Sequence, residues 1–345
     1  MRPTLLPLLL LTAPALAQIT AAVPCVADNT LYQDALGNTS NGSGGSIFAG
    51  TTATGAVRRA VLRFDVAGAL PAGATIVSAT LSLHVLQTMA PAPVPASGHR
   101  VLQAWGEGAS VAPGNGGGGT LAATGDATWL HTSYSTSFWT TPGGSFVATP
   151  SFPLELPNTG FATVTAPGLA ADVQLFLDNP TQNFGWIIKT DEVQAATAHR
   201  MDSREGATKP TLVVRYLLPG NNGTWGTGCP VGAGNFGNSF VGTPTGGTTI
   251  QITQSGAPAI AVGTTFYSLD LDPVGIIILP GCTVHLPLNG MLPGGIYVTN
   301  AAGAATSPFP VPSGFPGYLV VAQSIVLTNN ALGFVVSDAA LTCLQ

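Results

Sequence analysis

Apolar and polar residues alternate along several short segments of the chain. Between residues 75 and 85, Val77, Leu81 and their apolar neighbours fall on one side, whereas Ser82 and His84 fall on the other. This period of two predicts a β-strand that buries one face. The same criterion predicts further strands at 59–66, 186–190 and 211–217, with Ala60, Leu62, Phe64 and Val66 of the first of these pointing inward.

The second part of the chain has the same pattern, and its predicted strands lie at 248–254, 264–271, 274–279, 296–299, 318–327 and 333–336. Apolar residues recur at helical spacing in one place, 169–177, where Asn179-Pro180 ends the predicted helix. The chain holds 44 Gly and 28 Pro in 345 residues, which favours short strands joined by tight turns. The sequence therefore predicts an all-β protein.

Charge is scarce and unevenly distributed. The chain has 10 Lys and Arg against 15 Asp and Glu, too few basic residues for a nucleic-acid partner. Every Lys and Arg precedes residue 216, and only Asp270, Asp272 and Asp338 are charged beyond it. This change in composition predicts two β domains, residues 19–218 and 226–345, joined by a linker at 219–225.

The N-terminus has the features of an export signal. An apolar run at 5–11 follows Arg2, and Ala15-Leu16-Ala17 supplies the small residues that signal peptidase reads, so residues 1–17 are predicted to be a signal peptide. The run is too short to span a bilayer, and the alternative is a buried N-terminal strand. We expect a protein that is secreted, extracellular or held at the cell surface, with no membrane span.

Four cysteines in an exported chain favour two disulfides, for which three pairings exist. Cys229 with Cys282 is the preferred pair because both lie in the second predicted domain. This leaves Cys25 with Cys343, a bridge that would join the two chain ends. No Cys-x-x-Cys occurs, and a metal site of cysteines is not expected.

Several motifs in the first 218 residues resemble, in order, those of DNRLRE domains, a family related to carbohydrate-binding module family 96. They are Arg58-Arg59-Ala60-Val61-Leu62-Arg63-Phe64-Asp65, Leu70-Pro71-Ala72-Gly73-Ala74, Trp105-Gly106-Glu107-Gly108, Gly125-Asp126-Ala127-Thr128-Trp129-Leu130-His131, Trp139-Thr140-Thr141-Pro142-Gly143-Gly144, Ala171-Asp172-Val173-Gln174, Asn183-Phe184-Gly185-Trp186, Asp202-Ser203-Arg204-Glu205 and Lys209-Pro210-Thr211-Leu212.

The resemblance implies a jelly-roll-like β-sandwich in exported bacterial proteins, some of which bind polysaccharides such as alginate-type uronates. The second predicted domain, a smaller β-sandwich or barrel, resembles a C-terminal module of secreted bacterial proteins in three short stretches. These are Gly226-Thr227-Gly228-Cys229-Pro230, Gly281-Cys282 and Gly317-Tyr318-Leu319-Val320-Val321-Ala322-Gln323. Its low charge favours packing or surface association over catalysis.

Aromatic residues concentrate at 129–139, where Trp129, Tyr134, Phe138 and Trp139 occur close together. Sugar rings stack on exposed aromatic rings, so this segment is a candidate glycan platform. The alternative is core packing, and Trp129 is the member that best fits a core. Tyr134 and Trp139, set among Ser and Thr, are expected to be the exposed members.

A second candidate is the charged segment that holds His199, Arg200, Asp202, Arg204 and Glu205. Arginines here can grip a carboxylated sugar through paired hydrogen bonds. The favoured alternative is an internal ion-pair network with Arg58, Arg59 and Asp65.

Two kinds of catalytic site are considered: a pair of carboxylates, as in glycoside hydrolases, and a group of basic and aromatic residues, as in polysaccharide lyases. Glu107 with Asp126, or Asp191 with Glu192, supplies the two carboxylates of a glycoside hydrolase. A lyase would draw on His131, Tyr134, Arg200 and Arg204. No Gly-x-Ser-x-Gly or His-Glu-x-x-His motif occurs, and a non-enzyme is predicted.

The predicted function is a non-catalytic extracellular module that binds polysaccharide or a cell-surface component. The candidate ligand-binding residues are Tyr134, Trp139, Trp129, His131, Arg200 and Arg204. Asp28 and Asp126 are candidate ligands of a structural calcium ion, and no other cofactor is expected. The alternatives are a purely structural envelope or matrix protein, or an extracellular polysaccharide lyase or hydrolase. The sequence leaves the ligand and the oligomeric state open.

Overall fold

The computed structural model describes residues 19–345, and in this range the protein is almost entirely β-structure. The all-β prediction is therefore confirmed. The predicted signal peptide, residues 1–17, lies outside the described residues. No helix between residues 19 and 345 is both long enough and apolar enough to cross a membrane.

Between residues 19 and 217 the chain forms fourteen strands and two α-helices. The strands are β1 (Ile19–Tyr32), β2 (Thr39–Ser40), β3 (Ser46–Thr51), β4 (Val57–Phe64), β5 (Thr75–Thr88), β6 (Val94–Arg100), β7 (Thr120–Leu121), β8 (His131–Ser133), β9 (Ser137–Phe138), β10 (Phe152–Leu156), β11 (Gly160–Thr165), β12 (Trp186–Thr190), β13 (His199–Asp202) and β14 (Thr211–Leu217). The helices are α1 (Val66–Ala69) and α2 (Pro167–Asp178), and a 3-10 turn covers Pro180–Gln182.

Two sheets share the strands β1 and β3, and this sharing closes them into a sandwich. The N-terminal half of β1 pairs with β14, whereas its second half pairs with β4 after a bulge between Cys25 and Ala27. In the same way β3 pairs with β13 through Ser46–Ala49 and with β4 through Gly50 and Thr51. One sheet contains β5, β11, β13 and β14, and the other contains β4, β12, β6 and β10.

The main core lies between these sheets and under α2. It includes Leu62 and Phe64 of β4, which face inward as the alternation predicts. Helix α2 confirms the predicted helix: Pro167 stands in its first turn, and its buried residues are Leu169, Val173, Phe176 and Leu177. The predicted strand 59–66 ends earlier than expected. Asp65 accepts a hydrogen bond from the Gly68 amide at 3.1 Å and caps α1, so Val66 belongs to that helix.

The outer face of the second sheet is also buried, which the sequence pattern did not predict. Val61 of β4 and Ile187 of β12 have no solvent exposure, although the alternation assigns Val61 to the wet face. The connection from β6 to β10, residues 101–151, covers this face. It contributes Trp105, Trp129 and Trp139 to a second apolar cluster.

The second part of the chain also forms antiparallel sheets. Its strands are β15 (Asn222–Trp225), β16 (Pro230–Val231), β17 (Gly234–Asn235), β18 (Gly237–Val241), β19 (Thr249–Ser255), β20 (Val262–Ser268), β21 (Ile276–Leu279), β22 (Cys282–Val284), β23 (Leu292–Val298), β24 (Ala305–Pro310), β25 (Leu319–Leu327) and β26 (Phe334–Cys343). The larger sheet has the order β15-β26-β25-β20-β23, and a three-stranded sheet has the order β18-β19-β24.

Apolar contacts join the two parts of the chain. Val77 and Leu217 belong to the same buried cluster as Leu271, Leu286 and Leu319. The Thr75 hydroxyl donates a 2.7 Å hydrogen bond to the Gly317 carbonyl. Residues 222–225 of the predicted linker form β15, which pairs with β26, so this stretch is part of a sheet.

The cysteines form one disulfide. Cys229 and Cys282 are bridged, as preferred from the sequence. The predicted pair of Cys25 and Cys343 is wrong, since both are free thiols. Each belongs to a different environment: Cys25 lies at the bulge of β1 and contacts the Ala27 carbonyl, whereas Cys343 is buried 3.2 Å from the Thr75 hydroxyl. Burial raises the pKa of both thiols.

Thiol counting tests this arrangement. We expect two titratable thiols per chain in denaturant without reductant, because Cys25 and Cys343 are unbridged. The double variant Cys229→Ser/Cys282→Ser should lose about 4 kcal/mol of unfolding free energy, since the bridge closes a loop with a sequence separation of 53. Cys25→Ser is the matched control and should lose much less. A count of zero thiols would contradict the arrangement.

Asp338 provides a test by pH. Its carboxylate accepts a 2.6 Å hydrogen bond from the Asn238 backbone N–H, and burial raises its pKa to about 6 from the ordinary value of 3.8. A raised carboxyl pKa gives stability that is fully present below pH 3.8 and is lost as the pH rises through 6. Asp338→Asn should therefore raise the unfolding free energy at pH 7, by on the order of 1 kcal/mol, and change it little at pH 4. Thermal unfolding at both pH values measures this, and the exposed Asp270→Asn should show no such pH-dependent gain.

Candidate functional site

The predicted aromatic platform is a small hairpin of β8 and β9 with few exposed rings. The His131 ring is buried, its Nδ1 lies 3.0 Å from the Gly37 carbonyl oxygen, and its centroid is 4.4 Å from the Phe138 ring and 5.0 Å from the Tyr134 ring. Tyr134 is half-buried, and Phe138 is the exposed member. The surface of this hairpin therefore presents Phe138 and part of Tyr134.

The two tryptophans of the platform lie in the core. Trp139 is 5 % exposed and its indole N–H donates a 2.9 Å hydrogen bond to the Thr128 carbonyl, so the expectation that it faces solvent is wrong. Trp129 is 9 % exposed and lies under Arg59, whose Cζ is 4.8 Å from the centroid of the Trp129 ring. Both rings are used to cover the outer face of β4 and β12.

A different pocket brings together two arginines. It has a volume of about 200 Å³ and opens to solvent near the junction of the two sheets. Arg200 on β13 stands between Phe48 on β3 and Gln87 on β5, and all three are opposite each other in register. Because paired residues in antiparallel strands point to the same face, these side chains form one row. Arg58 on β4 lines the same pocket.

Gly50 makes room for the far wall of this pocket. It is opposite Arg58 at the point where β3 passes from one sheet to the other, and its φ of +115° lies in the range that favours glycine. A Cβ at this position would stand 2.4 Å from the Thr197 carbonyl oxygen. The neighbouring Ala196 and Ala198 line the pocket, so glycine at position 50 allows this wall to approach.

The two guanidinium groups have unfilled hydrogen-bonding capacity. Between residues 19 and 345 no carboxylate lies within 4.0 Å of either one. Arg58 donates from Nη1 to the Val57 carbonyl, and the Nε of both Arg58 and Arg200 is buried without an acceptor. Burial lowers the pKa of Arg58, and Tyr32 and Asp34 oppose this shift. An anionic group in the pocket would stabilise both charges.

Arg204 is separate from this pocket and belongs to an ion cluster. Its Nε and Nη2 both donate to the Glu107 carboxylate, and Nη2 also pairs with Glu205 at 2.9 Å. These contacts raise the pKa of Arg204. The favoured alternative of an internal ion-pair network therefore describes Arg204, but its partners are Glu107 and Glu205. Arg59 pairs with Glu192 at 2.7 Å, and Asp65 caps α1.

The two predicted calcium ligands have different surroundings. Asp28 lies in the ion cluster: its Oδ2 accepts a 2.6 Å hydrogen bond from the Arg204 amide, its Oδ1 has no partner, and burial raises its pKa to about 8. Asp126 instead organises a loop, since its carboxylate accepts from the Ala123 amide at 2.7 Å. The structure groups Asp28 with Glu107 and Glu205, and the pairing of Asp28 with Asp126 is not observed.

The predicted catalytic sets are held by other contacts. Glu107 is paired with Arg204, Asp126 accepts hydrogen bonds from backbone amides, and Glu192 is paired with Arg59. Of the lyase set, His131 and Tyr134 lie together, but neither lines the pocket that holds Arg200. Sequence reasoning missed Arg58 as a member of the Arg200 pocket, because the register that joins β3, β4 and β13 is set by tertiary pairing.

No family model matches this chain, and no curated relative does. One solved structure returned by comparison is the N-terminal CBM22-1–CBM22-2 tandem domain of Xyn10C from Paenibacillus barcinonensis. It shares 9 % identity with this chain, the match covers 96 % of this chain and 99 % of that structure, and the TM-score is 0.22, so the two structures superpose poorly. The resemblance to DNRLRE domains stays a prediction from the motifs.

The placement of the aromatic residues can be tested by stability. Trp139→Ala should lower the unfolding free energy by about 3–5 kcal/mol, because it removes a buried indole and leaves the Thr128 carbonyl without its donor. Phe138→Ala, which alters an adjacent exposed ring, is the matched control and should cost less than about 1.5 kcal/mol. Denaturant unfolding measures both, and equal losses would contradict this placement.

Proposed function

We propose that this protein is a non-catalytic extracellular module that binds a carboxylate-bearing polysaccharide in the pocket of Arg58 and Arg200. The observation that carries the proposal is the absence, within residues 19–345, of any carboxylate against these two guanidinium groups. Of the other arginines in this range, Arg59, Arg100 and Arg204 each form an ion pair, whereas Arg63 and Arg215 lie over the rings of Trp105 and Trp225. Arg58 and Arg200 share one pocket and lack such a partner.

The pocket supplies the contacts that a uronic acid residue requires. The planar guanidinium group binds a carboxylate through two parallel hydrogen bonds, and such charge-assisted bonds are stronger than neutral ones. The exposed Met89 provides apolar surface for a sugar ring, and Thr52, Gln87 and Asn115 provide hydroxyl and amide groups for its hydroxyls. The buried Phe48 ring forms part of the pocket wall. With a volume of about 200 Å³, the pocket is smaller than a typical enclosed small-molecule site, and it would hold one unit of a chain that is otherwise in solvent.

The surroundings of the pocket support a binding role over a catalytic one. None of its lining residues is an Asp, Glu, His or Tyr, so the residue types that protonate or deprotonate a glycosidic substrate do not line it. Export is supported by the disulfide between Cys229 and Cys282, since such bridges persist in oxidising compartments. The residues that line the pocket thus favour binding of the polysaccharide over its cleavage.

Alginate and its carboxyl-reduced derivative test this proposal, because they differ in charge but not in chain linkage. The protein should bind alginate, and Arg200→Ala or Arg58→Ala should each weaken binding about 10-fold, since each removes a charge-assisted contact of about 1.4 kcal/mol. The double variant should lose about 100-fold. Calorimetric titration at fixed low salt measures the affinity.

The controls separate the pocket from general charge. Lys209→Ala removes one exposed positive charge away from the pocket and should change the affinity by less than about 2-fold. Phe138→Ala removes the exposed ring of the aromatic hairpin and should also have little effect. Equal binding of alginate and carboxyl-reduced alginate, or full binding by the double arginine variant, would refute the proposal.

A structural role in an envelope or matrix is the second candidate, and one surface feature favours it. The edge strand β23 exposes Leu292, Ile296 and Val298, and the chain beyond residue 216 has no Lys or Arg. Exposed apolar side chains on an edge strand, one side of which has no neighbouring strand, favour association with other surfaces. Absence of polysaccharide binding in every arm of the titration would leave this candidate in place of the first.

A further inference from the structure

The cluster of Asp28, Glu107 and Glu205 is a second feature of the first part of the chain, away from the arginine pocket. One carboxylate oxygen from each residue lies within 4.8 Å of the others. Oxygens that bind one calcium ion at 2.3–2.6 Å lie no more than roughly 5 Å apart. The three side chains come from β1, from the 101–151 connection and from the loop after β13, so tertiary folding brings them together.

Asp28 points to a missing partner in this cluster. Its side chain is fully buried, and its Oδ1 has no hydrogen-bond partner among residues 19–345. Oδ2 is already satisfied by the Arg204 amide at 2.6 Å. A buried carboxylate oxygen without a donor is costly, and protonation alone would leave a buried hydroxyl without an acceptor. A cation next to Oδ1 would satisfy this atom.

The net charge of the cluster also favours a bound cation. Three carboxylates face one guanidinium, that of Arg204, and the sum with all groups ionised is −2. Arg204 does not reach Asp28 through its side chain, because its guanidinium contacts are to Glu107 and Glu205. A divalent cation would bring the sum to zero.

We propose that Asp28, Glu107 and Glu205 bind a calcium ion. Calcium suits the donor set because all the offered ligands are oxygens, and its coordination is flexible enough to be completed by water at the exposed Glu205 side. Magnesium demands near-ideal octahedral geometry at shorter distances and is expected to bind less tightly. The ion would connect three segments that are far apart in the sequence and so stabilise the first part of the chain.

Terbium luminescence and thermal unfolding test the site with the full chain. Terbium is a calcium analogue, and Trp105, two residues from Glu107, supplies an indole to sensitise its emission. We expect sensitised emission that calcium displaces. Calcium at about 1 mM should raise the melting temperature by about 5 °C over the chelator-treated protein, and magnesium should raise it less.

Glu205→Gln is the decisive variant, because Glu205 is exposed and its substitution leaves the buried part of the cluster intact. This variant should lose about 10-fold in calcium affinity and most of the thermal shift. The matched control Glu155→Gln removes an exposed carboxylate on β10 and should keep both. Asp28→Asn tests the buried ligand, with terbium emission as the readout if the variant folds.

Two results would overturn the proposal: an identical melting temperature with calcium and with chelator, or terbium emission that Glu205→Gln leaves unchanged. The measurement uses no polysaccharide. Failure of the calcium site and failure of the arginine pocket are therefore separate outcomes.

Discussion

Two strands that each belong to two sheets set the geometry of this protein. β1 and β3 leave one sheet and enter the other, β1 through its bulge after Cys25 and β3 at Gly50. A bulge redirects a strand and re-aims the side chains next to it. Asp28 follows directly after the first crossing, and Phe48 and Gly50 lie at the second. The acidic cluster and the arginine pocket are thus both located at places where a strand changes sheets.

The scarcity of charge makes each ionic contact informative. Arg59, Arg100 and Arg204 are each held by a carboxylate, and Arg63 and Arg215 lie near the tryptophans Trp105 and Trp225. Arg58 also lies over an aromatic ring, that of Tyr32 at 4.7 Å, and it differs from Arg63 and Arg215 in sharing a pocket with a second arginine, Arg200. The acidic cluster has the opposite imbalance, with more carboxylates than cations. The fold keeps these two imbalances apart, because Arg200 lines the pocket whereas Arg204, four residues later, binds Glu107.

The sequence predicted the features that depend on local pattern. The all-β class, the helix at Pro167–Asp178 and the strand that begins at Thr75 follow from periodicity and turn residues, and the structure contains all three. The burial of Val61 and Trp139 could not be predicted from the sequence. It depends on the 101–151 connection, which folds over the outer face of β4. A strand that is buried on both faces shows the same alternation as one with a wet face when polar residues such as Arg59 and Arg63 extend past their apolar neighbours.

The candidate sites could be predicted only in part for the same reason. Arg200 and Asp28 were identified from residue type, and each lies in a cluster of interest. Arg58 and Glu205 were predicted only as members of an ion-pair network, because no spacing along the chain places Arg58 beside Arg200 or Glu205 beside Asp28. For Cys25 and Cys343 the prediction was wrong. The number of cysteines suggests a second disulfide, but in the structure the two thiols are not bonded to each other.

The apolar cluster shared by Val77, Leu217 and Leu319 has a consequence for how the molecule responds to force and to heat. Side chains from both parts of the chain contribute to this buried apolar cluster, and separating them would expose apolar surface on both sides. Unfolding of one part, by heat or by force, therefore also costs the hydration of the apolar surface that it covers on the other part.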